Sequence, residues 1–268
     1  MPHLGMPPLS RRDFHLSLLG AAGLLRAEEP EMRWALLSDT HIPENPADQY
    51  RGFRPVENLK QSVEMVLAAK PQGTLICGDA ARLAGLPGDY QALKSLLEPL
   101  AQQMPVAIAL GNHDDRKNFL QVFGASQQGA QPVKNRHVLV IEGSAVRFIL
   151  LDSLIMPNFT PGLLGKDQRT WLAGFLDSAP PLPTVIFMHH TPDDSDSALL
   201  DMPRLFDIVK DRAMVKAIIF GHSHRYGVLP WNGIHMINIP AVGYNFRDED
   251  PVGWGDAVFT AKGASLTL

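Results

Sequence analysis

Cysteine is almost absent from this chain of 268 residues, which contains only Cys77. A single cysteine excludes a disulfide within the chain. Cys77 lies in the apolar run Thr74–Cys77, so we interpret it as a small buried core residue. A metal site in this protein would therefore not use a soft thiolate ligand.

An excess of basic residues is also lacking. The chain has 24 Lys and Arg against 28 Asp and Glu, a formal net charge of -4, and no basic block stands out. Proteins that bind long nucleic acids contact the phosphate backbone through clustered Lys and Arg. We therefore exclude a long nucleic acid as the partner, and an anionic substrate would have to be attracted locally.

The N-terminal apolar run is too short to span a membrane. Residues 16–25 are ten uncharged residues, whereas a transmembrane helix needs about 20. Arg11-Arg12 precede this run, which resembles the twin-arginine signal of bacterial exported proteins, although His15 stands where that pattern has Leu. We expect residues 1–27 to be such a signal, and an amphipathic first helix is the alternative. The expected protein has no stable membrane span, contacts the twin-arginine export machinery transiently, and is periplasmic or extracellular.

Short apolar runs alternate with helical patterns through residues 28–268, which we expect to form one domain. Helical spacing of apolar residues appears near 56–67, 89–103 and 201–210, and a hairpin is predicted for 137–151. Asp114 and Asp115 look like the acidic first turn of a short helix that ends at Phe123. The alternation predicts an α/β fold whose buried strands are Trp34–Leu37, Thr74–Cys77, Val106–Leu110, Ala145–Leu151, Thr184–Met188 and Ala217–Phe220.

Five of these strands end in polar clusters. Ligands of α/β sheets collect beyond the carboxyl ends of the strands, and residues two apart on an extended segment point to the same side. One such residue is usually an ordinary turn or surface residue, but five successive clusters are hard to obtain by chance. With His113 left aside, two carboxylates, an amide and four imidazoles suit Mn, Fe or Zn, but not Ca or Mg. The clusters are Asp39/His41, Asp79, Asn112/His113, His189 and His222/His224.

These motifs, in this order, resemble the calcineurin-like metallophosphoesterase family over roughly residues 32–240. The segments Gly111–Arg116 and Gly162–Leu172 are most similar to its class III branch of cyclic-nucleotide and glycerophosphodiester phosphodiesterases. The resemblance implies a four-layer αββα sandwich of two mixed β-sheets flanked by helices. It also implies two transition-metal ions above the strand ends.

The resemblance assigns a role to each cluster. His113 would be catalytic, near the substrate phosphate or the leaving oxygen. His189 is preferred to His190 because it directly follows the strand residue Met188, and we expect His190 to be a wall residue. The other histidines (His3, His15, His137 and His235) are interpreted as ordinary. Asp39, His41 and His224 would hold the first ion, Asn112, His189 and His222 the second, and Asp79 would bridge both.

One departure from the family pattern concerns Arg82. The family usually has a second Asp three positions after Asp79, and the loss of that carboxylate could change metal affinity or ligand orientation. The purple acid phosphatase branch has Tyr there and Gly in place of His41, which argues against that branch. An alternative is that Arg82 faces the phosphate.

The expected function is hydrolysis of a small phosphodiester, of the cyclic-nucleotide or glycerophosphodiester type, by a metal-bridging hydroxide. A phosphomonoesterase using the same site and a non-catalytic metal-binding scaffold are the alternatives. A DNA exonuclease would need a basic groove, which the sequence lacks. The natural substrate, the metal identity and the oligomeric state stay open.

Overall fold

The computed structural model describes residues 30–127 and 132–268, so the predicted signal at residues 1–27 lies outside the described residues. Over these ranges the chain forms eleven strands and five helices. The strands are β1 Glu31–Leu37, β2 Gly73–Cys77, β3 Val106–Ala109, β4 Leu139–Glu142, β5 Arg147–Leu150, β6 Thr184–Phe187, β7 Val215–Phe220, β8 Gly227–Trp231, β9 Ile234–Asn238, β10 Gly255–Thr260 and β11 Gly263–Thr267. The helices are α1 Pro55–Ala69, α2 Pro87–Ala101, α3 Arg116–Gln127, α4 Gly165–Ser178 and α5 Met202–Val209.

The strands form two mixed sheets. The first has the order β11-β10-β1-β2-β3, and the second has the order β4-β5-β6-β7-β9-β8. Strands β1, β2 and β3 are parallel to one another, as are β5, β6, β7 and β9. Each sheet therefore presents several carboxyl ends at one edge, where polar loops can converge.

Alternate residues of each strand pack into different layers. On β1, Trp34 and Leu36 pack between the two sheets, where Trp34 contacts Phe148 edge to face with ring centroids 5.1 Å apart. Ala35 and Leu37 point the other way, into the core beneath α1, α2 and α3. A third core lies between the second sheet and helices α4 and α5. One core thus lies between the sheets and one lies between each sheet and its helices, which confirms the predicted four-layer αββα sandwich. Strands buried on both faces in this way need apolar residues on both.

The local predictions are largely confirmed. The hairpin is β4 paired antiparallel with β5, and Cys77 is buried in β2. The acidic helix start at Asp114 and Asp115 is wrong, since α3 begins at Arg116. The Asp115 carboxylate accepts the N–H of Asn118 at 2.8 Å, as an N-cap does, whereas Asp114 is fully buried outside the helix.

Among the described residues, none of the helices has the length and apolar character needed to cross a bilayer.

Candidate metal centre

The predicted site residues meet at the carboxyl ends of β1, β2, β3, β6 and β7. Their side chains form three overlapping groups, and within each group the potential ligand atoms lie within 4.8 Å of one another. Except for His113 and His222, which are half-buried, the predicted residues are at most 3% exposed. The three groups are Asp39/His41/His224, His41/Asp79/His113 and Asp79/His189/His222.

The backbone at these residues is unusual. Non-glycine residues rarely adopt a positive φ, because Cβ then crowds the carbonyl oxygen. Here five of the seven predicted ligands do so, with φ between 46° and 70°. The prediction that Asp39 and His41 share a side of an extended strand is therefore wrong in its geometry, although the two side chains do meet. The five residues are Asp39, His41, Asp79, His222 and His224.

Glycines before the ligands allow the loops to approach one another. A Cβ added at Gly111 would lie 2.2 Å from a carboxylate oxygen of Asp79. A Cβ at Gly221 would lie 2.0 Å from the Ser38 hydroxyl and 2.4 Å from the Asp39 carboxylate. These distances are too short for any side chain, so glycine is needed at both positions for the sheets to bring their ligands together.

The first group is held by the main chain. His41 Nδ1 donates to the carbonyl of Arg82 at 3.3 Å, and His224 Nδ1 donates to the carbonyl of Tyr244 at 2.6 Å. Because a carbonyl only accepts, both rings carry their proton on Nδ1 when neutral. The Nε2 atoms of His41 and His224 then face each other as lone pairs 3.0 Å apart.

The distance between the Nε2 atoms of His41 and His224 shows whether these residues could bind one metal ion. Two facing lone pairs repel each other unless a cation lies between them. Two imidazole nitrogens bound about 2.1 Å from one metal at a right angle would be about 3.0 Å apart, which matches the observed separation. Asp39 adds an oxygen 3.3 Å from His224 Nε2, and the donor set fits a borderline transition metal.

The second group is built in the same way. His189 Nδ1 bonds to the Cys77 carbonyl at 2.9 Å, which directs its Nε2 at Asp79 (3.3 Å) and at the amide oxygen of Asn112 (3.2 Å). His222 uses its Nε2 on the carbonyl of Ser197 at 2.9 Å, so Nδ1 is the atom left for a metal. Asn112 therefore lies beside His189, with which the sequence analysis groups it.

The electrostatics of the site favour a bound cation. Burial alone would keep Asp39 and Asp79 neutral, but the neighbouring imidazoles outweigh burial and lower the pKa of both carboxyls. Burial alone would likewise lower the pKa of His189, yet the two carboxylates raise it to about 9, so that a proton balances their charge. Burial lowers the pKa of His41 to about 3, which keeps this ring neutral and able to bind metal.

His113 lies at the opening of the site and is half-buried. Its Nδ1 donates to the carbonyl of Leu83 at 2.8 Å, and its backbone N–H donates to an Asp79 oxygen at 2.8 Å. Its Nε2 lies 4.0 Å from the other Asp79 oxygen and 20% of its side chain is exposed. His113 is thus close to the centre yet reachable from solvent.

His190 does not compete with His189 for a metal in this arrangement. Its Nδ1 bonds to the Ser153 hydroxyl at 2.7 Å and its Nε2 to the carbonyl of Thr160 at 3.0 Å. Both ring nitrogens are engaged, and the ring packs beside that of His222 with centroids 4.9 Å apart. This is the geometry of a wall residue.

Asp114 is a functional residue that the sequence interpretation missed. Its buried carboxylate accepts backbone N–H groups from Gly111 (2.8 Å), Ala80 (3.2 Å) and Ala81 (3.1 Å), and the hydroxyl of Tyr90 (3.0 Å). These bonds join the loop after β2 to the loop after β3. Asp114 therefore positions both Asp79 and Asn112 without touching a ligand position itself.

With this geometry established, the comparisons with known proteins identify the family. The model of the calcineurin-like phosphoesterase family matches residues 32–226. The chain belongs to this family. Its members use metal ions, and this protein is accordingly a metal-dependent hydrolase of phosphoesters with clustered metal-ligand residues.

Individual relatives point to one branch of the calcineurin-like family. The chain is 30% identical over 220 residues, 78% of this chain and 70% of the relative, to a protein of Rhodococcus erythropolis named as a probable cyclic nucleotide phosphodiesterase. It is 28% identical over 221 residues, 78% of this chain and 77% of the relative, to a glycerophosphodiester phosphodiesterase of Enterobacter lignolyticus. The resemblance to the cyclic-nucleotide and glycerophosphodiester branch is thereby confirmed.

A solved structure supports the fold. A dimetal phosphatase from Danio rerio superposes with a TM-score of 0.67, covering 88% of this chain and 97% of that chain, at 17% sequence identity. A similarity at this level of identity shows the shared fold alone.

Proposed function

We propose that this protein is a dinuclear metal-dependent phosphodiesterase that acts on a small diester of the cyclic-nucleotide or glycerophosphodiester type. The observation that carries the proposal is a pair of three-residue groups, Asp39/His41/His224 and Asp79/His189/His222, that lie side by side. His41 Nε2 of the first group lies 3.8 Å from an oxygen of Asp79, which favours Asp79 as a ligand shared between two ions. The names of the two relatives above favour a diester.

The proposed ligand sets use the inward donors of the site other than His113. Asp39, His41 and His224 would hold one ion, and His189, His222 and Asn112 the other, with Asp79 between them. When bound, two such ions of Mn, Fe or Zn supply a nucleophile near neutral pH and stabilise the entering and leaving oxygens of an in-line displacement. Two divalent ions against two carboxylates leave a positive site, which attracts a phosphate ester although the whole chain is negative.

His113 is proposed to be the proton donor. Because Nδ1 is fixed on the Leu83 carbonyl, the proton that can leave is the one on Nε2 of the imidazolium form, the atom that faces the centre. General-acid catalysis by an imidazole so placed stabilises the departing alkoxide. Hydrogen bonding from the same atom would also stabilise charge on the phosphoryl oxygens.

The test is to purify the protein, count its bound metals, and assay bis(p-nitrophenyl) phosphate beside p-nitrophenyl phosphate with added Mn²⁺. About two metals per chain with diester turnover is the expected result. Turnover of the monoester alone would replace the proposal with a phosphatase, and bound metal without either activity would favour a scaffold.

We also propose that the protein is exported to the periplasm or beyond by the twin-arginine machinery, on the basis of Arg11-Arg12 and the short apolar run that follows. That route carries folded cargo, which suits a protein that binds its metals before export. Replacing both arginines with lysine should keep the protein in the cytoplasm on cell fractionation, and unchanged export would contradict the proposal.

A further inference from the structure

Three aromatic side chains outside the family motifs line one side of the centre. The Tyr244 ring stacks on His41 with centroids 4.7 Å apart and is itself covered by Tyr50 at 4.5 Å. Phe246 stacks on His224 at 4.1 Å, with the two planes 22° apart. Tyr244 is buried, but Tyr50 is 39% exposed and Phe246 is 44% exposed. Of the two open rings, Phe246 therefore contacts a ligand of the first proposed ion directly, and Tyr50 is separated from one by the Tyr244 ring.

The loops that carry the two open rings are tied together. Arg51, next to Tyr50, donates to the main-chain carbonyl of Phe246 and forms an ion pair with Asp248 at 2.5 Å. Tyr50 and Phe53 exchange two backbone hydrogen bonds of 3.0 and 2.9 Å, which closes the turn around Arg51. The loops that carry the rings are thus held at one rim of the site by the Arg51 side chain and by the backbone of the Tyr50 turn, an arrangement that reduces the entropy lost on binding a flat ligand.

The opposite rim differs. Phe159 is 45% exposed on the loop between β5 and α4, and that loop is tied to the site by the N–H of Asn158 on the Asn112 carbonyl at 2.6 Å. Among the described residues, no ring contact joins Phe159 to a proposed ligand, unlike Phe246 on His224. A substrate whose phosphate lies at the metals would reach aromatic ring faces mainly on the Phe246 side.

We propose that Tyr50 and Phe246 form a stacking platform for a nucleobase, so that the preferred substrate is a nucleoside phosphodiester and not a glycerophosphodiester. This inference rests on the proposed phosphodiesterase function and names the substrate class of the same site. Bases bind to exposed aromatic rings through their π-faces, whereas a glycerol or ethanolamine group has no such face to offer.

The platform can be tested by binding alone, using a pair of ligands that differ only in the base. Adenosine 5′-monophosphate and ribose 5-phosphate are titrated by calorimetry into the full chain loaded with Mn²⁺. Phe246→Ala should weaken the first ligand about tenfold, within the range that one stacked base contributes, and leave the second within about twofold. Unchanged binding of ribose 5-phosphate also shows that the variant is folded.

Matched variants separate stacking from simple bulk. Phe246→Leu keeps an apolar side chain without a π-face and should lose nearly as much affinity for the nucleotide as Phe246→Ala, whereas Phe246→Trp should retain it. Phe159→Ala removes an equally exposed phenylalanine from the opposite rim and should leave the preference for the nucleotide unchanged. Full nucleotide affinity in Phe246→Leu, or a tenfold loss in Phe159→Ala, overturns the platform.

Turnover then distinguishes this inference from the function on which it rests. The kcat/KM for 3′,5′-cyclic AMP should fall in the double variant Tyr50→Ala/Phe246→Ala mainly through KM, with little change for glycerophosphoethanolamine. Equal losses for both diesters would refute the platform and leave the phosphodiesterase in place. If the unmodified protein hydrolyses neither diester, the proposed function fails, and the two-ligand binding ratio still decides whether Phe246 recognises a base.

Discussion

The two sheets make unequal contributions to the metal centre. The loops after β1, β2 and β3, which we call the first half, supply both carboxylates, the amide and one imidazole. The loops after β6 and β7, the second half, supply imidazoles alone. The anionic charge that attracts the metals therefore comes entirely from one sheet.

The halves also differ in what holds them. In the first half, Asp114 ties the loops after β2 and β3 to each other. Two residues of the second half bond to the first, since His189 bonds to the Cys77 carbonyl and the N–H of His222 bonds to the Asp39 carboxylate at 3.1 Å. Loss of the shared carboxylate or of Asp114 in the first half should therefore weaken both proposed ions, whereas loss of one imidazole from the second half should weaken one.

The largest effect is expected for Asp79→Ala, which removes the carboxylate proposed to be shared by the two ions. The variant should bind neither ion and lose at least about 1000-fold in turnover, because the metals supply several kcal/mol of transition-state stabilisation. The counterpart in the second half, His222→Ala, should retain one ion per chain. Metal analysis of the purified variants decides the matter, and two ions in Asp79→Ala would refute the shared ligand.

A matched control for this experiment is Asp201→Ala. Asp201 is also a buried carboxylate, but it accepts the N–H groups of Leu164 and Gly165 at the start of α4 and belongs to none of the three groups of potential metal ligands. Its loss should lower the free energy of unfolding by about 2 kcal/mol without reducing the number of bound metals.

A smaller loss is expected for His113→Ala, which leaves the charges of both halves intact. Turnover should fall about 10²- to 10⁴-fold, the range for removal of a general acid, while both metals stay bound. His235→Ala, an exposed histidine on β9, is the control and should behave as the unmodified protein. Parallel loss of metal and activity in His113→Ala would show that His113 is a ligand instead.

The difference between the two halves is tested by comparing Asp114→Asn in the first half with Asn238→Ala in the second. Asp114→Asn replaces a carboxylate that accepts four hydrogen bonds with an amide, so we expect a loss of about 2 kcal/mol in the free energy of unfolding and weaker binding of both ions. Asn238 donates to the carbonyls of Phe220 and Gly221 at the end of β7, before the loop that carries His222 and His224, so its loss should leave Asp79 and Asn112 in place and weaken metal binding less than Asp114→Asn does. Stepwise metal titration of both variants is the measurement, and equal weakening of both ions in each would remove the distinction between the halves.

The smallest effect is expected at Arg82, where the family usually has Asp. The main-chain carbonyl of Arg82, and not its side chain, orients His41, so the residue type there matters little to that ligand. Arg82→Asp should therefore change metal affinity less than threefold, well below the usual effect of losing an outer-shell partner. A tenfold tighter first ion in this variant would mean that the missing carboxylate does weaken the site.

The parts of the fold that the sequence predicts are those with a repeating pattern. Apolar runs such as Val106–Leu110 mark buried strands, and the polar residues after them mark the edge where ligands meet. Two acidic residues before a helix suggest an acidic first turn, so the sequence predicts the wrong element for Asp114. Only the folded chain brings the Asp114 carboxylate to Ala80 and Tyr90. Tyr50 and Phe246 lie in irregular loops without any periodicity, so nothing local links them to His224.

The glycines that precede the ligands have a consequence for how this protein can change over evolutionary time. Gly111 and Gly221 take no part in the chemistry, yet a single methyl group at either position would overlap the opposing loop. Substitution of either glycine would displace a loop of the metal centre, whereas Phe246 lies at the rim and is 44% exposed. We therefore expect changes in substrate preference to come from substitutions at the rim, with both glycines retained.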